Sequence, residues 1–426
     1  MTKLLLHVFC LFFIVSLSAQ DIYLQCGNIV DTQSGKLLSD KTLVISGNKI
    51  KSIQNGFVDG TDNDKTIDLK GKTVLPGLID MHVHLESESS PQTYIKRFTD
   101  NEADKSFESV GHAKSTLLAG FTTVRDLGGT GVNIALRNAI NRGIIEGPRI
   151  FTAGKSLATT GGHADPTNGM RKDLTGDPGP KEGVVNSPED GKKAVRQRYK
   201  NGADVIKITA TGGVLSVAKS GQNPQFTVEE IKAITDTAKD YGMLTAAHAH
   251  GDEGMQRAIK GGIKTIEHGT MMSDETMEMM KEFDAYLVPT ITAGKQVAEK
   301  AKIEGYFPEV VAKKAASIGP LIQDTFGRAY KKGVPIAFGT DAGVFPHGLN
   351  AKEFGYMVEA GMPVIEALKS ATITGAELLG MGDELGQLKE GFLADIIAVD
   401  ENPVENVFIL ENVVFVMKDG IVFKNE

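Results

Sequence analysis

Apolar and polar positions follow two different patterns along the chain. Near both ends, short runs of alternating apolar residues are separated by Gly, Asn and Asp, as in KTLVISGNKIKSI and NVVFVMKDGIVFKN. This pattern is typical of short antiparallel strands, and Asp419-Gly420 predicts a hairpin turn. Because both ends share the pattern, we expect residues 20–73 and 381–426 to form one small β-sandwich accessory domain.

Residues 74–380 alternate short apolar strands with helical stretches. Eight strand candidates follow in order: TVLPGLIDMHVHL, GFTTVRDL, PRIFTAG, DVIKITA, LTAAHAH, TIEHGT, YLVPTIT and PIAFGTDA. Thr227, with Glu230 three residues later, predicts a capping box at the start of one helix between them. Eight such units predict an α/β fold of the (β/α)8 TIM-barrel class, with a doubly wound sheet as the alternative that the pattern leaves open.

Residues 1–19 have the pattern of a secretory signal peptide. Lys3 precedes an apolar run from Leu4 to Leu17, and small residues follow before the polar Gln20. The run is short for a bilayer span, so we predict cleavage near Ala19 rather than an uncleaved anchor. The mature protein is then expected to be secreted or periplasmic, without stable membrane insertion.

Charge and cysteine content exclude several classes of protein. The formal net charge of the 426 residues is −8, and no basic patch occurs, so we expect no nucleic-acid partner. Cys10 lies in the predicted leader, which leaves Cys26 alone and excludes an internal disulfide. A small-molecule or dipeptide substrate is expected, and the question of a homo-oligomer stays open.

Histidines are concentrated at one end of the predicted strands. The sequence has nine histidines, of which His7 lies in the leader and His112 in a helical stretch. The other seven lie at strand ends or in the loops that follow strands: His82, His84, His163, His248, His250, His268 and His347. In a barrel, the carboxyl ends of the strands form the functional face, so this distribution indicates a site rather than packing.

The motif His82-Val83-His84 carries the strongest chemical signal. Side chains alternate across a strand, so both imidazoles point to the same face and could bind one metal ion. Asp341 ends the eighth predicted strand, which in a closed barrel lies next to the first. The sequence therefore predicts that Asp341 lies close to the two histidines.

Lys207 is unusual because it lies in a central apolar strand, Val205 to Thr209. With Ile206 and Ile208 facing outward, its amine would point inward and be desolvated, which lowers the pKa of a lysine. One interpretation is a lysine paired with a carboxylate. The other is a neutral amine converted to a carbamate, which would be an anionic bridging ligand.

Seven motifs together resemble the amidohydrolase superfamily: PGLIDMHVHL, GFTTVRDLGG, GGHAD, DVIKI, AAHAHG, TIEHGT and GTDAG. They look most similar to its imidazolonepropionase-like and prolidase-like dipeptidase branch. The similarity extends from about Asp21 to Glu426, because LGQLKEGFLADIIAVDENPVENV resembles the family's return into the accessory domain.

The resemblance implies two divalent metal ions, usually zinc. By motif, one ion would be held by His82, His84, carboxylated Lys207 and Asp341. The other would be held by Lys207, His248 and His268. The family's strand-five ligand is the first histidine of the HAH-like motif, although His250 could exchange roles with His248.

Two such metals can share a water and lower its pKa toward neutrality. Asp341 would accept the water proton and pass it to the leaving amine, while a metal or His163 would polarise the carbonyl. By resemblance, His250 would contact the substrate carboxylate. Arg125 is a second candidate for anion recognition, with a structural salt bridge as the alternative.

We therefore expect a metal-dependent dipeptidase that acts on Xaa-Pro or Xaa-basic dipeptides. Within the same chemistry, hydrolysis of a cyclic amide or an N-acyl amino acid is the alternative. Two other classes are a barrel that has lost catalysis and a non-hydrolytic sugar- or metal-binding protein. The intact set of candidate ligands argues against the first, and Asp341 beside the predicted metals argues against the second.

Overall fold

The structure of the chain is a computed structural model that describes residues 20–426, and the predicted signal peptide lies outside the described residues. The strands are β1 (Ile22–Val30), β2 (Leu37–Ser46), β3 (Lys49–Asn55), β4 (Lys65–Pro76), β5 (Leu78–Val83), β6 (Phe121–Asp126), β7 (Arg149–Thr152), β8 (Val205–Thr209), β9 (Leu244–Ala249), β10 (Thr265–His268), β11 (Tyr286–Val288), β12 (Ile396–Val399), β13 (Phe415–Lys418) and β14 (Ile421–Asn425).

Helices follow most strands of the middle region. They are α1 (Thr93–Thr99), α2 (Glu102–Leu118), α3 (Val132–Asn141), α4 (Pro188–Asn201), α5 (Val228–Asp240), α6 (Asp252–Lys260), α7 (Asp274–Glu282), α8 (Ile291–Lys300), α9 (Glu309–Ile318), α10 (Ile322–Lys331), α11 (Lys352–Glu359), α12 (Val364–Ser370) and α13 (Ile373–Leu378). The capping box between Thr227 and Glu230 is present at the start of α5, as predicted.

The two chain ends meet in one sheet rather than in two. Seven strands are hydrogen-bonded in the order β14-β13-β12-β4-β1-β2-β3, so the predicted β-sandwich of two sheets is not confirmed. The reason is a continuous ladder, in which β12 pairs antiparallel with the end of β4. The expectation of antiparallel strands alone was also incomplete, because β1 pairs parallel with β4.

Local turns in this terminal sheet agree with the sequence pattern. Asp419 and Gly420 have φ angles of 50° and 75° and connect β13 to β14, as expected for the predicted hairpin turn. Strand β4 continues beyond residue 73 to Pro76, and only Gly77 separates it from β5. A Cβ at Gly77 would lie 2.2 Å from Thr122 Oγ1, so this close passage requires glycine.

The middle region contains two parallel sheets. One has the order β5-β6-β7 and the other β11-β10-β9-β8. Parallel bridges join their neighbours: Leu157 pairs with Ile208, Leu287 with Ile336, and Val83 with Ala342. Parallel strands aim their carboxyl ends in one direction, so residues at the ends of β5, β8, β9 and β10 come together.

The eighth predicted strand, residues 335–342, is not a regular strand. It makes single bridges on each side, and Asp341 has a φ of 60°, which interrupts an extended backbone. The seventh predicted strand is also shorter than expected: β11 ends at Val288, and Thr290, with a φ of 53°, begins the turn into α8. Within residues 20–426, no helix has the length and apolar character needed to cross a membrane.

Candidate active site and metal centre

The predicted pair of histidines on β5 points to one place. His82 Nε2 lies 3.4 Å from His84 Nε2, and these two nitrogens lie 3.4 and 3.3 Å from Asp341 Oδ1. Alternation along β5 puts both rings on the same face, and the bridge from Val83 to Ala342 brings Asp341 beside them. Three donor atoms therefore converge at a spacing that suits a single cation.

Hydrogen bonds at Nδ1 orient the imidazoles of His84 and of His268, which lies beside this group at the end of β10. His84 Nδ1 lies 2.7 Å from the Gly128 carbonyl oxygen and must donate to it. His268 Nδ1 lies 2.6 Å from Thr290 Oγ1. These bonds leave both Nε2 atoms free, which is how a protein commonly prepares histidines to bind a metal.

Glu267 is a functional residue that the sequence analysis missed. Its Oε2 lies 2.9 Å from His82 Nδ1, and its Oε1 accepts from Arg125 Nη2 at 2.9 Å. The exposed fractions of Glu267 and Arg125 are both 0 %, so the carboxylate needs this cation. Glu267 thus orients His82 from behind. Glu267 stands next to His268 in the motif TIEH. The alternation of side chains along β10 does not predict that its carboxylate contacts His82 on another strand.

Arg125 does not reach the site from the substrate side. Its guanidinium donates to the Met81 carbonyl oxygen at 2.6 Å, to Thr265 Oγ1 at 3.0 Å and to Glu267. All of its contacts are internal, and the side chain is fully buried beneath His82. The suggestion that Arg125 recognises a substrate anion is therefore corrected to the alternative, a structural salt bridge.

His248 and His268 lie beside the first pair. Their ring centroids are 4.7 Å apart, and His268 lies 5.2 Å from His82. His248 Nε2 donates to the Gly212 carbonyl oxygen at 3.0 Å, so its Nδ1 is the free nitrogen. One donor atom from each of His82, His268 and Asp341 fits within 4.8 Å of the others, as in a metal-binding group.

Lys207 lines the same cavity from β8 and is 4 % exposed. Of the two carboxylates near it, Glu267 pairs with Arg125, and Asp341 lies beside the imidazoles of His82 and His84. Burial lowers the pKa of Lys207, which favours the neutral amine. Among the described residues Lys207 makes no direct salt bridge, but the charges of Glu267 and Asp341 raise its pKa against the effect of burial, so both interpretations of this lysine stay open.

The donor atoms are chemically suited to a cation. Asp341 Oδ1 is buried and has no hydrogen-bond partner among residues 20–426, and burial raises the pKa of Asp341, so the charged carboxylate lacks the compensation that a cation would supply. Burial lowers the pKa of His84 to about 4 and lowers the pKa values of His82 and His268 well below the ordinary range. Neutral imidazoles beside an unpartnered carboxylate oxygen are what a divalent metal ion requires.

Backbone strain is concentrated at this site. Three non-glycine residues with left-handed backbones lie within it: His268 with a φ of 73°, Thr290 with 53° and Asp341 with 60°. Such conformations cost free energy and are common where function requires an exact side-chain position. Here they turn His268 and Asp341 toward the cavity at the ends of their segments.

The ligand cluster opens into a cavity of about 300 Å³. We define the ligand cluster as His82, His84, Lys207, His248, His268 and Asp341, all of which line this cavity. The cavity also has an apolar wall, which we define as Val214, Leu215, Val297, Phe307, Ile318 and Ile322. The sequence analysis missed the part of this wall between β11 and residue 335, because the helical pattern there does not show which face meets the cavity.

His163 and His250, the predicted substrate-binding residues, also line the cavity. The ring of His163 stacks on His248 at 4.4 Å, and its Nδ1 is buried without a hydrogen-bond partner among residues 20–426. His250 Nδ1 lies 2.8 Å from Thr270 Oγ1. Burial lowers the pKa of each of these two histidines to about 3, so both rings are neutral.

His347 and His112 form a separate pair behind the site. Their rings stack at 4.7 Å, and His112 Nδ1 donates to the Leu85 carbonyl oxygen at 2.9 Å. The backbone N–H of His347 donates to Glu88 Oε1 at 2.7 Å. His347 therefore supports the loop that follows β5, and unlike the other six histidines at strand ends or in the loops that follow strands it does not line the cavity.

Comparison with known proteins agrees with this geometry. The model of the amidohydrolase family matches residues 73–422. Ochratoxinase from Aspergillus niger is 32 % identical over 409 residues, which cover 91 % of this chain and 82 % of that protein.

Solved structures resemble this chain along nearly its whole length. A Xaa-Pro dipeptidase with methionine bound in its active site is 54 % identical, has a TM-score of 0.92, and is matched over 95 % of this chain and 100 % of that one. A prolidase in complex with N-methylphosphonate-L-proline is 32 % identical, with a TM-score of 0.87 and coverage of 96 % and 100 %. The resemblance to the prolidase-like branch is thereby confirmed, and the chain belongs to the amidohydrolase family, whose members hydrolyse carbon–nitrogen bonds.

Proposed function

We propose that this protein is a metal-dependent dipeptidase that cleaves the peptide bond of Xaa-Pro dipeptides. The observation that carries this proposal is the convergence of His82 Nε2, His84 Nε2 and Asp341 Oδ1 on one cavity. The similarity to a Xaa-Pro dipeptidase and to a prolidase supports the substrate class.

The ligand cluster would hold two divalent ions, with zinc as the proposed metal. His82, His84 and Asp341 would hold one, and His248 and His268 the other, with Lys207 as a carbamate between them. When bound, such ions act as Lewis acids and lower the pKa of a water molecule. His248 is preferred over His250 as the ligand because the family's strand-five ligand is the first histidine of the HAH-like motif, and Nδ1 of His248 is free to bind.

The chain's own residues would manage the protons of the reaction. Asp341 accepts a proton from the attacking water as the carbon–oxygen bond forms, and delivers it to the leaving nitrogen as the carbon–nitrogen bond breaks. His163, a neutral imidazole with an unpartnered buried nitrogen, donates a hydrogen bond to the carbonyl oxygen as negative charge develops there. His250 is placed to contact the carboxylate of the substrate.

The apolar wall favours apolar substrate side chains, proline included, over a basic side chain. Glu88 and Asp341 are the carboxylates among the lining residues, and Glu88 Oε1 already accepts from the backbone of His347. A cationic side chain would find little compensation for its lost hydration. Xaa-basic dipeptides are therefore the second choice. Hydrolysis of a different amide, an N-acyl amino acid or a cyclic amide, is the alternative, and the similarity to ochratoxinase supports it.

We further propose that the two parallel sheets and residues 335–342 close into one (β/α)8 barrel. The bridges at Leu157, Leu287 and Val83 support this closure, since each joins neighbouring segments in a parallel arrangement. Export through a cleaved signal peptide is proposed on the sequence pattern of residues 1–19 alone.

Metal analysis combined with a dipeptide library tests the function. We expect about two ions per chain and turnover of Xaa-Pro ahead of Xaa-Lys, Xaa-Arg and N-acyl amino acids. Turnover only of N-acyl amino acids would replace the dipeptidase proposal by the alternative. A metal-loaded protein that hydrolyses none of these compounds would refute both.

Lys207→Ala tests the bridging ligand. We expect both metal content and kcat/KM to fall, the latter by at least about 100-fold, because an anionic ligand is lost from the centre of the cluster. Lys200→Ala is the matched control, since Lys200 is exposed on α4, the helix that precedes β8. Unchanged metal content and activity in Lys207→Ala would contradict the bridging role.

A further inference from the structure

Lys314 is a buried lysine outside the ligand cluster that the proposed reaction does not use. It lies on α9 and is 8 % exposed. Its ammonium donates to three backbone carbonyl oxygens, those of Gly213 at 2.7 Å, Ser216 at 2.6 Å and Ala218 at 2.8 Å. An ammonium has three N–H donors, so all of them are directed at one short stretch of chain.

This stretch, residues 212–221, is the loop that follows β8, the strand that carries Lys207. Two of its residues, Val214 and Leu215, belong to the apolar wall. The Tyr94 hydroxyl donates to the Leu215 carbonyl oxygen at 2.8 Å, which adds a contact from α1. The loop is thus held by side chains from two helices, α9 and α1, that are distant in sequence.

The position of the 212–221 loop also limits the position of His163. A Cβ at Gly213 would lie 2.2 Å from Cε1 of His163, so the backbone passes directly against the ring. The Gly212 carbonyl oxygen accepts from His248. A displaced loop would therefore affect the wall and the neighbouring rings before it affected the rest of the fold.

Burying the ammonium of Lys314 costs free energy, and apolar packing of the side chain does not explain why a lysine occupies this position. Burial lowers the pKa of Lys314. Its ammonium is hydrogen-bonded to backbone carbonyl oxygens rather than to a carboxylate. An apolar side chain at this place would avoid that desolvation. The lysine is explained if the three carbonyl oxygens need a donor in order to hold one loop conformation.

We propose that Lys314 is a positioning residue that tethers the 212–221 loop and so holds Val214 and Leu215 against the substrate. This role rests on the proposed dipeptidase function and sets selectivity for substrates with a large apolar Xaa side chain. It adds a specificity determinant that acts through the loop and does not touch the reacting atoms.

The test compares Lys314→Met with Lys314→Arg and with Lys313→Met in the metal-loaded, full-length protein. Methionine keeps the length and apolar stem of lysine but removes all three donors, whereas arginine keeps the charge. Lys313 is the matched control, because its side chain is 74 % exposed and its partner within residues 20–426 is Glu309 on the same helix.

Hydrogen exchange is the first measurement and does not depend on activity. We expect amides of residues 212–221 to exchange at least about tenfold faster in Lys314→Met, because the three hydrogen bonds that hold the loop are lost. Lys314→Arg should restore part of the protection, and Lys313→Met should match the parent. Unchanged exchange in the loop, or equally faster exchange throughout the chain, would overturn the proposal.

Kinetics with two substrates is the second measurement. In Lys314→Met, KM for Met-Pro should rise about tenfold, with kcat and metal content preserved, while KM for Gly-Pro should change by less than about twofold. Equal effects on both substrates would overturn the selectivity role. If the parent protein hydrolyses neither dipeptide, the proposed function fails, whereas the exchange result still decides whether Lys314 tethers the loop.

Discussion

The ligand cluster and the apolar wall meet in one cavity but are held in different ways. The histidines of the cluster are fixed by strands and by partners immediately behind them, such as Glu267 and Arg125 behind His82. The wall comes from a loop and from the helices between β11 and residue 335. Its loop is held by Lys314 and Tyr94, which reach it from other parts of the chain.

This difference indicates a division of tasks within the site. Metal ligands need positions accurate to a fraction of an ångström, and neighbouring strands provide them because their spacing is fixed by the ladder. A substrate wall tolerates more variation and can be changed without loss of the metal. Substitutions in the cluster should therefore abolish chemistry, whereas substitutions in the wall should change which substrate is accepted.

The largest effect is expected for Asp341→Asn, which keeps the shape of the side chain. Loss of the carboxylate removes the proton acceptor and a metal ligand, so kcat should fall by about 1,000-fold or more. Steady-state kinetics and metal analysis provide the measurement. Asp324→Asn, at an exposed position on α10, is the control, and activity within tenfold of the parent would remove Asp341 from the mechanism.

Glu267→Gln should have the next largest effect, and it acts on stability as well as on the site. Arg125 would remain buried without its carboxylate, so the free energy of unfolding should fall by about 3–5 kcal/mol. His82 would lose its orienting partner, and metal affinity should fall about 10- to 100-fold. Denaturant unfolding and metal titration measure the two effects.

Two further variants separate these effects. Glu282→Gln changes an exposed glutamate at the end of α7 and should alter neither quantity. Replacing both Arg125 and Glu267 by Met should recover much of the stability without recovering metal affinity. If the double variant recovered metal affinity as well as the free energy of unfolding, Glu267 would contribute to the stability of the fold and not to metal binding.

Val214→Ala should have a smaller and more selective effect. The wall loses two methyl groups, worth about 1–2 kcal/mol of apolar contact, so KM for Met-Pro should rise by about five- to thirtyfold while kcat stays within twofold. Metal content should be unchanged. A fall in kcat with an unchanged KM would mean that the wall contributes to the chemistry, which would break the proposed division of tasks.

The smallest effect is expected at Cys26, which is buried in β1 of the terminal sheet. The reactivity of its thiol can therefore report on global unfolding. Burial raises the pKa of its thiol to about 12, so at pH 8 it should not react with a thiol reagent in the native protein. It should stay unreactive in Lys314→Met if only the loop opens. Reaction at the same rate as in urea would show that this variant unfolds globally.

The raised pKa of Cys26 also sets the sign of a pH effect. The folded state holds this proton more tightly than the unfolded chain, so its contribution to stability is present below the ordinary thiol pKa. That contribution is lost as the pH rises from the ordinary value toward about 12. Melting temperatures of the parent and of Cys26→Ala should therefore converge as the solution becomes alkaline.

Local signals in the sequence determined much of this protein. Alternation along a strand placed His82 and His84 on one face, and capping and turn residues correctly marked the start of α5 and the hairpin between β13 and β14. An apolar strand around Lys207 indicated a desolvated amine. These features depend only on near neighbours in the chain, so the pattern of residue types is sufficient to predict them.

Contacts between distant residues were decided only by the tertiary structure. These include the pairing of Glu267 with His82 and Arg125, the tether from Lys314 to the 212–221 loop, and the joining of both chain ends in a single sheet. The left-handed backbone at Asp341 also replaced a predicted strand by an irregular segment. Periodicity shows which face of an element is apolar, but the partner of a buried charge depends on how the elements pack in three dimensions.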